Sequence, residues 1–232
     1  MLVSAVLTGC QNGGTTESNN SVVSNTESAA SSSSDSSIPE DGGFKTISYE
    51  ASKDKYRNYY EIFVYSFCDS DGDGIGDFKG LTSKLDYLND GDPKTTDDLG
   101  IDGIWLMPIM PSGSYHKYDV DNYKDIDKSY GTLEDFKTFL SEAHKRGINV
   151  IIDFVINHTS NTNEWFKKAK EELKEGKTDG YAQYYNFVQS DSKPADVGAS
   201  KYYYAGTKGW YYESPFTQNM PYLNLKDEKV RK

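Results

Sequence analysis

Cysteine is scarce: Cys10 and Cys68 are the two in 232 residues, which excludes a disulfide framework. Basic charge is also short. Lys and Arg number 25 against 36 Asp and Glu, giving a net charge of −11 and a pI near 4.8. Such a chain repels nucleic acid and anionic lipid headgroups, so a basic partner surface is excluded. No run approaches the roughly eighteen apolar residues that a membrane-spanning helix needs. The three histidines, His116, His144 and His158, confine imidazole chemistry to a few positions. Mean hydropathy is −0.74, low for a compact domain but diluted by a polar first fifth. Tyrosine, by contrast, is abundant, with 19 copies. Tyrosine-rich surfaces suit neutral polar ligands with flat apolar faces, sugars among them, although tyrosines also commonly edge a sheet.

The polar first fifth reads as an address and a tether. Residues 1–9 are apolar and uncharged and lead into Leu7-Thr8-Gly9-Cys10. This resembles the lipobox of bacterial lipoproteins, although the charged segment that normally opens a secretory signal is missing. The resemblance implies a truncated signal over 1–10, lipidation at Cys10 and an extracellular protein whose membrane contact is that anchor alone. Residues 11–43 are Ser, Asn, Thr, Gly and acid, with four serines in a row at Ser31–Ser34. They hold too little apolar surface to offset ordering entropy and are expected to form a disordered linker.

Beyond the linker the pattern alternates. Tyr60 to Phe67 is aromatic and β-branched and predicts a strand. Phe78, Leu81, Leu85 and Leu88 recur at helical spacing. A second strand is predicted over Ile101–Met107, ended by Pro108. Thr132 with Asp135 three residues later predicts a capped helix start, and Gly147 closes that helix. The third strand, Ile148 to Val155, is nearly continuous in apolar residues, as a parallel strand buried on both faces should be. Strand–helix alternation of this kind implies right-handed crossovers and a parallel sheet. A further helix is predicted over Asn163–Leu173. From Tyr181 to Asn219 the chain is aromatic, polar and rich in glycine, an irregular β-rich excursion inserted after the third strand. Three parallel strands leave exposed edges, so part of the sheet is expected to be missing from this chain.

Three segments can carry chemistry. Asp69, Asp71, Asp73 and Asp77 alternate with glycines, and the backbone carbonyl of Ile75 falls among them. Oxygen ligands at alternate positions on a tight wrap are what a hard cation such as calcium requires, although the glutamate that ends an EF-hand loop is replaced by Gly80. The third strand ends Asp153-Phe154-Val155-Ile156-Asn157-His158, and an acid in so apolar a strand is costly unless paired or working. His158 lies at the strand's carboxyl end, where parallel α/β folds place their sites. The stretch Tyr115 to Tyr123 also follows a strand's carboxyl end, so His116 and Tyr118 face the same mouth.

Together these residues resemble the N-terminal portion of the α-amylase family of glycoside hydrolases. Gly103 to Pro108 looks like the family's second-strand motif, Asp153 to His158 like its first conserved region, and Met220 to Asn224 like the motif closing its inserted domain. The resemblance implies an α/β fold: the first three βα units of a TIM (β/α)8 barrel, with an irregular β-rich domain inserted after strand 3. The barrel is incomplete. Its parts are residues 44–158, the insertion at 159–224, and a return toward a fourth strand at 225–232. By the same resemblance His116, Tyr118, Asp153 and His158 form the sugar subsite. Asn157 ligates a calcium (Ca2+) between barrel and insertion, and the Asp69–Asp77 loop holds a second. A monomer acting on α-glucans such as starch and maltooligosaccharides is expected. Lys117 stands where such loops usually carry Gly, and Tyr222 replaces the usual Asp of the closing motif. The family's nucleophile and acid/base come from the fourth and fifth strands, so no catalytic carboxylate is expected before Lys232 and the chain alone is expected to be inactive. Hydrolysis of α-1,4 bonds is the favoured activity. An oligo-1,6-glucosidase, a transglycosylase or a non-catalytic glucan-binding lipoprotein stays open.

Overall fold

The computed structural model describes residues 57–231. The lipobox with Cys10, the linker of 11–43 and residues 44–56 lie outside the described residues. Three parallel strands, β1 (Tyr59–Ile62), β2 (Gly103–Leu106) and β3 (Asn149–Ile152), lie in sequence order. Two-residue alternation sorts their side chains. Ile62, Ile104 and Leu106 are fully buried on one face against Phe78, Leu81, Leu85 and Phe139. On the other face Glu61, Trp105 and Ile151 stand side by side in register. Trp105 is 41% and Ile151 45% exposed there. The third strand is therefore not buried on both faces. Its helix side is covered, but a sheet of three strands does not close, and its inner face is left half exposed.

The connections follow the sequence with two departures. The strand expected to reach Phe67 stops at Ile62, and Val64–Phe67 forms a single helical turn, α1. The acidic loop folds back onto this turn. Gly76 N donates to Tyr65 O at 2.7 Å, and a Cβ on Gly76 would sit 2.0 Å from Val64 O, so only glycine fits there. The helix expected over 78–88 is two pieces, α2 (Phe78–Ser83) and α3 (Leu85–Leu88). The Thr82 and Ser83 hydroxyls donate to Phe78 O and Gly80 O, each at 2.6 Å, and such back-bonding bends a helix. α4 (Leu133–Lys145) starts as expected: Thr132 Oγ1 accepts from Asp135 N at 3.1 Å while Asp135 accepts from Thr132 N at 2.9 Å.

After β3 comes α5 (Glu164–Lys174), capped by Asn163, and then an antiparallel sheet. Its strands β4 (Phe187–Gln189), β5 (Lys201–Tyr204) and β6 (Trp210–Ser214) lie in the order β4-β6-β5. Phe166 of α5 packs its ring against Tyr185 and Tyr212, with centroids 4.9 and 5.0 Å away. These two tyrosines are thus core, the plain reading of the aromatic excess. A last helical turn, α6, spans Glu228–Arg231. The inserted segment is laced to the mouth of the parallel sheet. Leu223 N donates to Asn157 O at 2.9 Å, Ser160 N to Val120 O at 2.9 Å, and Asn163 Nδ2 to Asp121 O at 2.8 Å.

Candidate active-site mouth

At the carboxyl ends of β2 and β3 lies a pocket of about 270 Å³, lined by Tyr118, Asp153, Phe154, Val155, Asn157, His158 and Phe216. Asp153 sits one residue past β3. Its amide continues the ladder by donating to Leu106 O at 2.9 Å, so its side chain takes the next inward position after Ile151. The carboxylate is held from two sides. Trp105 Nε1 donates to Oδ1 at 2.8 Å, and Tyr118 OH donates to Oδ2 at 2.5 Å. Burial, then the bond to Asp153 and its charge, push the Tyr118 phenol up to about 12, so it remains a donor.

The loop after β2 is pinched where Ser112 bridges Val120. Within it His116 Nδ1 accepts from Tyr118 N at 3.1 Å, so the neutral ring carries its proton on Nε2. Asp119 is buried and accepts from the hydroxyls of Ser112 (2.8 Å) and Ser114. His158 is only 3% exposed. A carbonyl can only accept, so His158 Nε2 donates to Tyr118 O at 3.0 Å, while Nδ1 meets the Asn157 amide. Burial, partly offset by the Tyr118 carbonyl and by Asp119, holds the ring below its ordinary value of 6.5. Its nitrogens serve the protein, and it offers the pocket a ring edge beside Phe216, 5.7 Å between centroids. Asp153 is the only carboxylate among the lining residues. The arrangement can orient a flat polar ligand against an aromatic face, but it lacks the pair of opposed carboxyl groups that cleavage of a glycosidic bond requires.

The family model of the α-amylase catalytic domain matches residues 61–232. The chain belongs to the α-amylase family. It is 43% identical over 178 residues to α-amylase 3 of Dictyoglomus thermophilum, covering 76% of this chain and 32% of that protein. It is 38% identical over 180 residues to an oligo-1,6-glucosidase of Parageobacillus thermoglucosidasius, covering 75% and 30%. Among solved structures, Eubacterium rectale Amy13B superposes with a TM-score of 0.66 at 54% identity, over 76% of this chain and 32% of that one. An α-amylase from H. orenii gives 0.68 at 50% identity, over 76% and 36%. The chain thus spans about a third of the length of the curated relatives it matches, and its three strands form part of the family's TIM barrel.

Tyr118, Asp153 and His158 line the pocket together with Asn157, while His116 stands beside it, its ring 5.9 Å from that of Tyr118. Sequence reasoning passed over Trp105, Phe154, Val155 and Phe216. Trp105 was findable: alternation from Ile104 and Leu106 turns it inward, next to Asp153. Phe216 had no local signal, since the inserted segment alone brings it there.

The acidic loop gathers Asp69, Asp71 and Asp77, with one carboxylate oxygen of each within 4.8 Å of the others. Asp73 lies outside this cluster and accepts from Ile75 N at 2.7 Å. Gly72 and Gly74, at φ 84° and 91°, let the chain wrap around Asp69, which accepts from their amides at 2.7 and 2.9 Å. Those two amides, Gly74 first, hold the Asp69 carboxyl below its ordinary value. Asp77 also caps α2 through Gly80 N at 2.8 Å. Three all-oxygen acidic donors on one small loop fit a hard divalent cation.

Proposed function

We propose that this chain supplies the sugar-binding mouth of an enzyme that hydrolyses α-1,4-glucosidic bonds in starch and related α-glucans. The observation that carries the reading is the Trp105–Asp153–Tyr118 network at the carboxyl end of the sheet, in a chain of this family. It fixes an aromatic ring over a pocket whose only carboxylate is held still by two donors. Cleavage proceeds by double displacement between two carboxyl groups about 5 Å apart, which belong to strands following those described here. Calcium, bound by Asp69, Asp71 and Asp77, stiffens the turn after β1, and Asn157 is offered to a second ion beside the insertion. The protein works outside the cell on a lipid anchor at Cys10. A second reading, an oligo-1,6-glucosidase, is favoured by relatives of that name at 38% and 40% identity.

The test is to express the reading frame continued past codon 232 and measure reducing sugar released from amylose and from isomaltose, with and without chelator. Calcium-dependent release from amylose is expected, and none from the 232-residue chain alone. Release from isomaltose only would establish the second reading. Robust amylose hydrolysis by residues 44–232 would overturn the division of labour.

A further inference from the structure

Lys117 is the only non-glycine with positive φ among the described residues, at 60°. L-residues other than Asn and Asp seldom take this region, so something must hold it. The side chain shows what does. Lys117 is 5% exposed, and its Nζ lies 2.8 Å from Asp127 Oδ2 and 4.7 Å from the centroid of the Tyr130 ring. Asp127 is itself fixed. It accepts from Ser129 N at 3.0 Å, Ser129 Oγ at 2.6 Å and Ser112 N at 3.3 Å, and its amide donates to Ile109 O at 2.9 Å. Lys117 is thus tied across the base of its own loop, near where Ser112 enters and Val120 leaves.

The left-handed turn at Lys117 has a geometric result. It brings Tyr118 N onto His116 Nδ1 and sets the two rings on one side, with Tyr118 OH on Asp153. Glycine would adopt the same φ without resistance, yet it has no side chain to anchor. We propose that the buried Lys117–Asp127 pair is a strap that holds the His116–Tyr118 loop in its ligand-binding shape, which makes Lys117 a positioning residue. The inference rests on the glucan-binding reading for its ligand but not for its mechanics.

The experiment compares the full chain with its Lys117→Met and Lys117→Arg variants. Methionine keeps an apolar stem beside Tyr130 while removing the charge, and leaves Asp127 with its bonds from Ser112 and Ser129 but without its counter-ion. In Lys117→Met, amides of residues 114–121 should exchange about tenfold faster while those of β2 and β3 are unchanged. Maltotriose should bind about tenfold more weakly by calorimetry, with Lys117→Arg restoring most of the loss. In a Tyr118→Ala background, Lys117→Met should change binding by less than about twofold, because the strap acts through Tyr118. Unchanged exchange in the loop, equal acceleration in the strands, or the same binding loss without Tyr118 would each overturn the strap. Asp127→Asn, which removes the charge while its single amide oxygen can still accept from Ser129, repeats the exchange measurement should Lys117→Met fail to fold. If the unmodified chain binds no maltotriose, the glucan reading fails, and the exchange result still decides the strap.

Discussion

Asp153 has the position of an active-site acid and the surroundings of a fixed post. Both its oxygens accept a bond, one from an indole and one from a phenol, so it stays where a mobile base would swing. Removing one donor should therefore cost stability more than recognition. Tyr118→Phe is expected to lose about 1 kcal/mol in urea unfolding, the usual worth of such a bond, with maltotriose affinity within about twofold. Tyr118→Ala, which removes the ring as well, is expected to lose more than about tenfold in calorimetry. The ion pair across the loop has its own signature in acid. Burial pushes the Asp127 carboxyl up, but the Lys117 ammonium and the Ser129 bonds outweigh it and hold the group below its ordinary 3.8. A depressed carboxyl stabilises fully above the unfolded value and loses that contribution as pH falls through the folded one. The difference in melting temperature between the unmodified chain and Asp127→Asn should therefore be constant from pH 7 to about 4.5 and shrink below 3.8. A difference that grew on acidification would contradict this assignment.

Among the elements, what could be read from sequence was what local chemistry decides. The start of α4 follows from Thr132 and Asp135 alone, and both bonds of the capping box are present. Thr132→Ala is expected to cost about 1 kcal/mol in thermal or urea unfolding without changing ligand affinity. The end of β1 was not legible. Val64 to Phe67 is as aromatic and apolar as the strand before it, and the turn forms because Gly76, eleven residues later, bonds back to Tyr65. The break at Lys84 was hidden for the opposite reason. Leu81, Leu85 and Leu88 are all buried on one side, so their periodicity runs through the interruption. At the site, Tyr118, Asp153 and His158 were readable because each follows a strand, whereas Phe216 arrives from the far end of the insertion. The Lys117 strap was half-visible: the sequence showed an odd residue at a glycine-like position, and only Asp127, ten residues on, explains it.

At the scale of the molecule, one mouth is built by two differently made bodies of structure. A parallel sheet with helices on one side supplies Asp153 and Trp105, and an antiparallel insertion supplies Phe216 and clasps His158 through Tyr222. The expectation of a parallel sheet with an insertion was sound because alternation of periods survives in sequence. The half-exposed inner face was not foreseen, since periodicity reports that a residue is apolar and says nothing of whether a neighbour arrives to cover it. That face has a consequence in time. α4 can form from contacts within one short segment, whereas β1, β2 and β3 pair only after long connections have been closed, the slow kind of contact. Until those strands pair, Trp105 and Ile151 lack even their neighbours in the sheet, and the pace of pairing sets how long a chaperone or another nascent chain meets them as separate apolar segments.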